Sequence, residues 1–196
     1  MRIIAGAYKG RRLVTPRGDV TRPTADQVRI ALMDTLMPWL PAVRLLDLFA
    51  GAGGVGLEAL SRGAAHVTFV ERDARAVTAL RDNVATLGVA DAAHVVRDDV
   101  LRALAAFRRA GERFGLVFLD PPYEAELAAA TLGALGDGAL LAAGALVVAQ
   151  HRTKRAPAEI AGVLRAFRTR RFGETTLTFF RADGYDAPST PTSPRG

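Results

Sequence analysis

The string Asp120-Pro121-Pro122-Tyr123 concentrates more chemistry than any other stretch of the chain. It follows the apolar run Leu116-Val117-Phe118-Leu119, which reads as a strand. Two successive prolines stiffen the backbone and remove two N–H donors. A carboxylate, carbonyl oxygens and an aromatic ring are left at the strand end. An exocyclic amine on a flat base needs that set. Asp120 and the carbonyl of Pro121 would accept its two N–H bonds, and Tyr123 would stack on its ring. The amine is a poor nucleophile because its lone pair is delocalised into the ring. Bonding both protons aims the lone pair, so positioning and electrostatics can drive its reaction with a good electrophile.

A second group of residues points to the partner of that amine. Leu46-Asp47-Leu48-Phe49-Ala50-Gly51-Ala52-Gly53-Gly54-Val55-Gly56 runs from a strand into a helix. Gly51, Gly53 and Gly56 fit the GxGxxG spacing of a nucleotide-binding turn, a weak signal alone. Glu71 ends the next strand, where a carboxylate can accept both hydroxyls of a ribose. Asp98-Asp99 ends the third strand and places another acid at the same sheet edge. A dinucleotide would set its pyrophosphate at the helix N-terminus. Asp47 is an awkward neighbour for a diphosphate but suits a sulfonium and an ammonium group. The expected ligand is therefore S-adenosylmethionine, held by Asp47, Phe49, Ala50, Gly51, Gly53, Glu71 and Asp99.

The elements that must position these groups follow from periodicity. Arg2–Ala5 and Arg11–Val14 flank Gly6 and Gly10 and predict an N-terminal β-hairpin. Thr24 and Gln27 form a capping box before a helix whose apolar face is Val28, Leu32 and Leu36, ended by Pro38 and Pro41. From Arg44 onward, apolar runs at 45–49, 67–70, 94–96, 116–119 and 145–149 alternate with helical stretches. The clearest helix carries Val77, Leu80, Val84 and Leu87 on one side and stops at Gly88. Strand–helix alternation predicts a parallel sheet covered on both faces. Residues 168–172 and 175–181 read as a closing hairpin, and the Pro- and Ser-containing tail from Asp183 as disordered. The expected organisation is a hairpin-and-helix extension over 1–40, a catalytic domain over 41–182 and a tail over 183–196. The extension precedes the core and is not needed for its sheet.

Charge adds a partner. The net charge is +6, with 26 basic and 20 acidic residues among 196. Residues 1–29 hold seven Lys/Arg against two acids, and residues 150–181 hold eight against two, whereas residues 30–149 hold ten against fourteen. Basic ends around an acidic middle suit an enzyme that binds a polyanion. Arg2, Lys9, Arg11, Arg12, Arg17, Arg22 and Arg29 are the expected phosphate contacts. The chain has no cysteine, which excludes disulfides and thiolate sites, and its three histidines lie far apart, so no metal site is expected. No apolar run reaches bilayer length and no signal-peptide pattern opens the chain, so a soluble, cytoplasmic protein is expected.

Taken together, these residues resemble the class I methyltransferases that carry (D/N)PP(Y/F) and methylate amines. Within that group they are similar to the bacterial RsmD family of small-subunit ribosomal RNA guanine-N2 methyltransferases. Met1-Arg2-Ile3-Ile4-Ala5-Gly6, Lys9-Gly10-Arg11-Arg12-Leu13, Arg22-Pro23-Thr24-Ala25-Asp26-Gln27-Val28-Arg29, Asp47-Leu48-Phe49-Ala50-Gly51, Leu57–Gly63 and Asp120–Tyr123 follow in that family's order. The resemblance runs from Met1 to about Arg181. It implies a Rossmann-like class I fold, with a seven-stranded, mostly parallel sheet. It also implies transfer of one methyl to N2 of the guanine conventionally called G966, in 16S rRNA of the assembled or assembling small subunit, by a monomer. Gln27, Ile30 and Gln150 depart from the family pattern, at an arginine, a glutamate and an acid respectively. Asp120–Tyr123 by itself fits adenine N6 in DNA equally well. A dehydrogenase and a non-catalytic RNA-binding module are the readings from other classes.

Overall fold

The computed structural model describes residues 1–16, 23–122 and 125–182, with only the backbone of 23–25 and 125. Its sheet comprises β1 (Arg44–Leu48), β2 (His66–Glu71), β3 (Ala93–Arg97), β4 (Phe114–Leu119), β5 (Leu141–Arg152), β6 (Ile160–Ala161), β7 (Leu164–Phe172) and β8 (Thr175–Ala182). The helices are α1 (Pro23–Leu36), α2 (Gly54–Ser61), α3 (Ala74–Leu87), α4 (Val100–Arg109) and α5 (Ala125–Leu135). The strands lie in the order β3-β2-β1-β4-β5-β8-β7-β6. Strands β1 to β5 pair in parallel, and β8, β7 and β6 add on antiparallel. The sheet therefore has eight strands rather than seven. The addition is the two-residue β6, too short to leave a periodic signal.

Alternation along the strands builds two cores. Leu45, Val67, Phe69, Leu116, Phe118, Leu146 and Val148 face α1, α2 and α3. Leu46, Leu48, Val70, Val117, Leu119, Val147 and Ala149 face α4 and α5. Each fully buried Leu or Phe contributes roughly 1.5–3 kcal/mol. Both faces of the central strands are covered, which explains why they read as continuous apolar runs.

The N-terminal segment is part of this core. Ile3, Leu13, Val28, Leu32, Met33 and Leu36 are buried against the sheet and α2. The predicted hairpin closes through one bridge, Arg2 to Arg12, and its arms are joined by Ile3 N–H to the Arg11 carbonyl at 3.0 Å, Gly10 N–H to the Ile3 carbonyl at 2.9 Å and Leu13 N–H to the Met1 carbonyl at 2.9 Å. Other backbone donors of the segment reach α2: Ile4 and Ala5 N–H donate to the Glu58 carboxylate at 2.8 and 3.0 Å, and Ala7 N–H donates to the Ser61 carbonyl at 2.8 Å. Gly6 sits so close to α2 that a Cβ there would meet the Ser61 carbonyl oxygen. The segment is thus fastened to α2 and buries Ile3 and Leu13 in the same core, though it adds no strand to the sheet. Helix α1 begins at Pro23, one residue before the expected cap, because a proline fits the first helical position. The tail over 183–196 lies outside the described residues.

Candidate active site

The strand order reverses between β1 and β4, and a cleft of about 290 Å³ opens outside the carboxyl ends of the strands there. Open α/β sheets bind ligands at this place. Four strand ends supply its lining: Phe49 after β1, Glu71 and Arg72 around the end of β2, Asp98 and Asp99 after β3, and Asp120 and Pro122 after β4.

The glycine loop meets the cleft through Phe49. Phe49 and Gly51 both take positive φ, 62° and 55°. At Gly51 nothing lies within 4 Å of where a Cβ would stand, so the loop presents bare backbone to open space. Its N–H donates to Glu71 Oε2 at 2.9 Å, and Asp73 N–H donates to Oε1 at 2.8 Å. A carboxylate has about four acceptor positions, so Glu71 keeps capacity for two hydroxyl donors. Asp47 lies beneath the loop, 1% exposed, and accepts the Gly56 N–H at 2.9 Å. Burial, with smaller contributions from Asp120 and Glu71, pushes its carboxyl up to about 7, against the Gly56 bond. Asp47 does not line the cleft. Its bond to Gly56 anchors the N-terminus of α2. Ala50 and Gly53 likewise shape the loop without lining the cleft: Ala50 N–H bonds the Val70 carbonyl, and Gly53, at φ 85°, caps α2.

Asp98 and Asp99 divide their work. Asp99 caps α4, its Oδ1 accepting the N–H groups of Leu101 and Arg102 at 3.0 and 3.3 Å. Asp98 pairs with Arg102 at 2.6 Å. On the opposite wall, Asp120 follows β4 directly. Gln150, the next residue along β5 after the Leu119–Ala149 pair, donates its amide N–H to Asp120 Oδ2 at 2.9 Å. Asp120 is open to the cleft but enclosed by protein on its other sides. That enclosure raises its carboxyl above the usual range, and the Gln150 bond opposes the rise. Pro121 is half-buried beside it, and Tyr123 lies outside the described residues.

The expected phosphate contacts separate into two groups. Arg2, Lys9, Arg11 and Arg12 are exposed on the N-terminal segment. Arg29 is 7% exposed, donates to the Arg2 carbonyl at 2.8 Å and pairs with Asp26 at 3.0 Å. It therefore braces the segment from within, and its expected meeting with phosphate is corrected to a structural role. Arg17 and Arg22 lie outside the described residues. Three residues that periodicity does not single out also hold the site together. Glu58, fully buried, ties the N-terminal segment to α2 and bonds Arg62 at 2.9 Å. Asn83 accepts the Val14 N–H and donates to the carbonyls of Val14 and of Ala52 in the glycine loop. Gln150 is legible only as a departure. The signal for the first two is a polar residue interrupting an apolar helical face. Among the described residues, no group of three or more His, Asp or Glu is placed to hold a metal ion, and no helix is long and apolar enough to cross a membrane.

An acid-lined cleft at the switch point of this sheet, behind a glycine loop, defines the architecture of a class I methyltransferase. A solved structure, YhhF of Escherichia coli, provisionally named a methyltransferase, superposes with a TM-score of 0.84 at 34% identity, over 94% of this chain and 99% of that one. The family described as "Conserved hypothetical protein 95" matches residues 1–181. The ribosomal RNA small subunit methyltransferase D of Escherichia coli K12 is 38% identical over 154 residues, 79% of this chain and 76% of the relative. YlbH of Bacillus subtilis, provisionally named an rRNA methyltransferase, is 38% identical over 94% of this chain and its own full length. The chain belongs to the ribosomal RNA small subunit methyltransferase D family.

Proposed function

We propose that this protein transfers a methyl group from S-adenosylmethionine to N2 of a guanine in 16S rRNA, the one conventionally called G966. The observation that carries the chemistry is Asp120, braced by Gln150 in the same cleft as Glu71, Asp98 and Asp99. The names of the relatives support ribosomal RNA as the substrate. The cleft fits the cofactor. Glu71 has acceptor capacity for ribose hydroxyls, the backbone at Gly51 permits close approach, and Asp98 or Asp99 would accept from an adenine amine. When bound, S-adenosylmethionine supplies a methyl on a sulfonium, a good leaving group.

The chain's residues then act on the amine. Asp120 accepts one N–H and the Pro121 carbonyl the other, which turns the nitrogen lone pair toward the methyl. Tyr123 stacks on the base. On taking the methyl from the sulfonium, which would leave as the neutral thioether, the amine nitrogen would have a proton to shed. Asp120, with its raised affinity for protons, is the group placed to take it. The reading implies a cytoplasmic monomer acting on assembled or assembling small subunits.

The test is transfer of labelled methyl to small subunits from a strain lacking the enzyme, followed by nucleoside analysis. N2-methylguanosine in 16S rRNA is the expected product. Label found only as N6-methyladenine in DNA overturns the reading.

A further inference from the structure

The sheet does not end level at its carboxyl edge. Strand β4 stops at Leu119, paired with Ala149, whereas β5 continues through Gln150, His151 and Arg152. Those residues pair with Leu177, Thr176 and Thr175 of β8, and β7 follows to Phe172. Three further strand residues amount to an overhang of roughly 10 Å. This ribbon therefore stands up beside Asp120, and its base is Gln150, which holds the Asp120 carboxyl.

The tip of the ribbon encloses a groove of about 400 Å³ lined by Arg152, Lys154, Arg155 and Arg171, with Glu174 the one acid. Four cations against one carboxylate leave a net charge of +3 in this space. The groove is held in shape by its own backbone. Thr153 N–H donates to the Glu174 carbonyl at 2.7 Å, Thr153 Oγ1 to the Gly173 carbonyl at 3.0 Å, and Arg171 Nε to the same carbonyl at 3.1 Å. A cationic groove one overhang away from Asp120 fits a polyanion whose charges recur along a strand.

We propose that this groove grips the sugar–phosphate backbone of the substrate RNA next to the target nucleotide, a second binding surface besides the N-terminal segment. It rests on the reading of the cleft as an RNA methylation site. Phosphate contacts of this kind fix the register of the nucleic acid without reading its sequence. The groove would set how far the strand travels past Asp120 and so which base reaches it.

The test compares wild type with K154E/R171E, and with the milder K154A/R171A in case the reversal unfolds the ribbon. A single reversal at Arg109, at the end of α4 away from the cleft, is the control for net charge. Two measurements are made on small subunits from a strain lacking the enzyme: equilibrium binding across a salt series without cofactor, and methyl transfer. The expected result is a tenfold or greater rise in Kd and in KM for subunits. The slope of log K against log salt becomes shallower by roughly 0.7–0.9 for each phosphate that is no longer neutralised. Affinity for S-adenosylmethionine is unchanged, and R109E behaves as wild type. Kd and salt slope in both double variants within twofold of wild type would overturn the groove. Absence of methyl transfer by wild type would instead overturn the reading of the cleft, while the binding series still decides the groove.

Discussion

At the scale of single residues, two buried or half-enclosed carboxyls govern how the protein responds to pH. Asp120 must be ionised to accept an amine N–H, and its protonation is favoured by enclosure. Turnover should therefore rise with pH through a midpoint above the ordinary carboxylate range. Gln150→Leu, which removes the opposing bond, should move that midpoint higher, and an unmoved pH–kcat profile would contradict the role given to the pair. Asp47 acts on stability. Its folded value, about 7, lies above the unfolded 3.8, so the native state holds the proton more tightly. The stabilisation is complete below about pH 4 and is lost as pH rises through 7. The loss is at most about 4 kcal/mol, at 1.36 kcal/mol per pKa unit. Thermal melts should show wild type losing stability from pH 5 to 8, and Asp47→Asn, which keeps an acceptor for Gly56 without a charge, losing much less. Asp120 is legible in the sequence because prolines and a strand mark its surroundings. Asp47 is legible as an acid before a glycine loop, but its bond to Gly56 depends on a helix returning over the strand, which spacing does not convey.

At the scale of elements, the N-terminal segment and α2 behave as one unit. Glu58 accepts from Ile4, Ala5 and Arg62 with no solvent exposure. Removing one partner of such a buried set costs about 3–5 kcal/mol. Glu58→Ala should lower Tm by roughly 6–20 °C, at about 2–4 °C per kcal/mol for a chain of this size. A shift within two degrees would show that the segment is not fastened through this carboxylate. Deleting residues 1–15 should be worse still, because Ile3 and Leu13 leave the core and Asn83 loses Val14. The strand and helix sequence of 45–149 is readable from its periodicity, and α3 matches from Val77 to Gly88. The hairpin pairs its own arms as alternation predicts, but the donation of Ile4 and Ala5 N–H to a carboxylate more than fifty residues away is not conveyed by spacing. Strand β5 runs past its apolar stretch because β8 supplies hydrogen-bond partners for polar residues too.

At the scale of the whole molecule, the N-terminal segment and the β5–β8–β7 ribbon both carry exposed cations. Affinity for small subunits should fall steeply as salt rises, and Lys9→Glu with Arg11→Glu should flatten that dependence while leaving cofactor affinity intact. A salt-independent Kd would contradict an interface built on phosphate. Which residues within the basic ends stay at the surface is not readable, since Arg29 and Arg12 look alike in sequence and only packing buries the first. The central claim is that the cleft binds the cofactor on one side and Asp120 presents an rRNA amine on the other. Its most direct measurement pairs calorimetry of S-adenosylmethionine with methyl transfer to small subunits, on wild type and Asp120→Ala. In Asp120→Ala, cofactor affinity should stay within a few-fold of wild type and turnover should fall by roughly a hundredfold or more, the scale of losing a group that accepts a proton at the reacting centre. Near-normal turnover in Asp120→Ala, or loss of cofactor binding in proportion to activity, would contradict that claim.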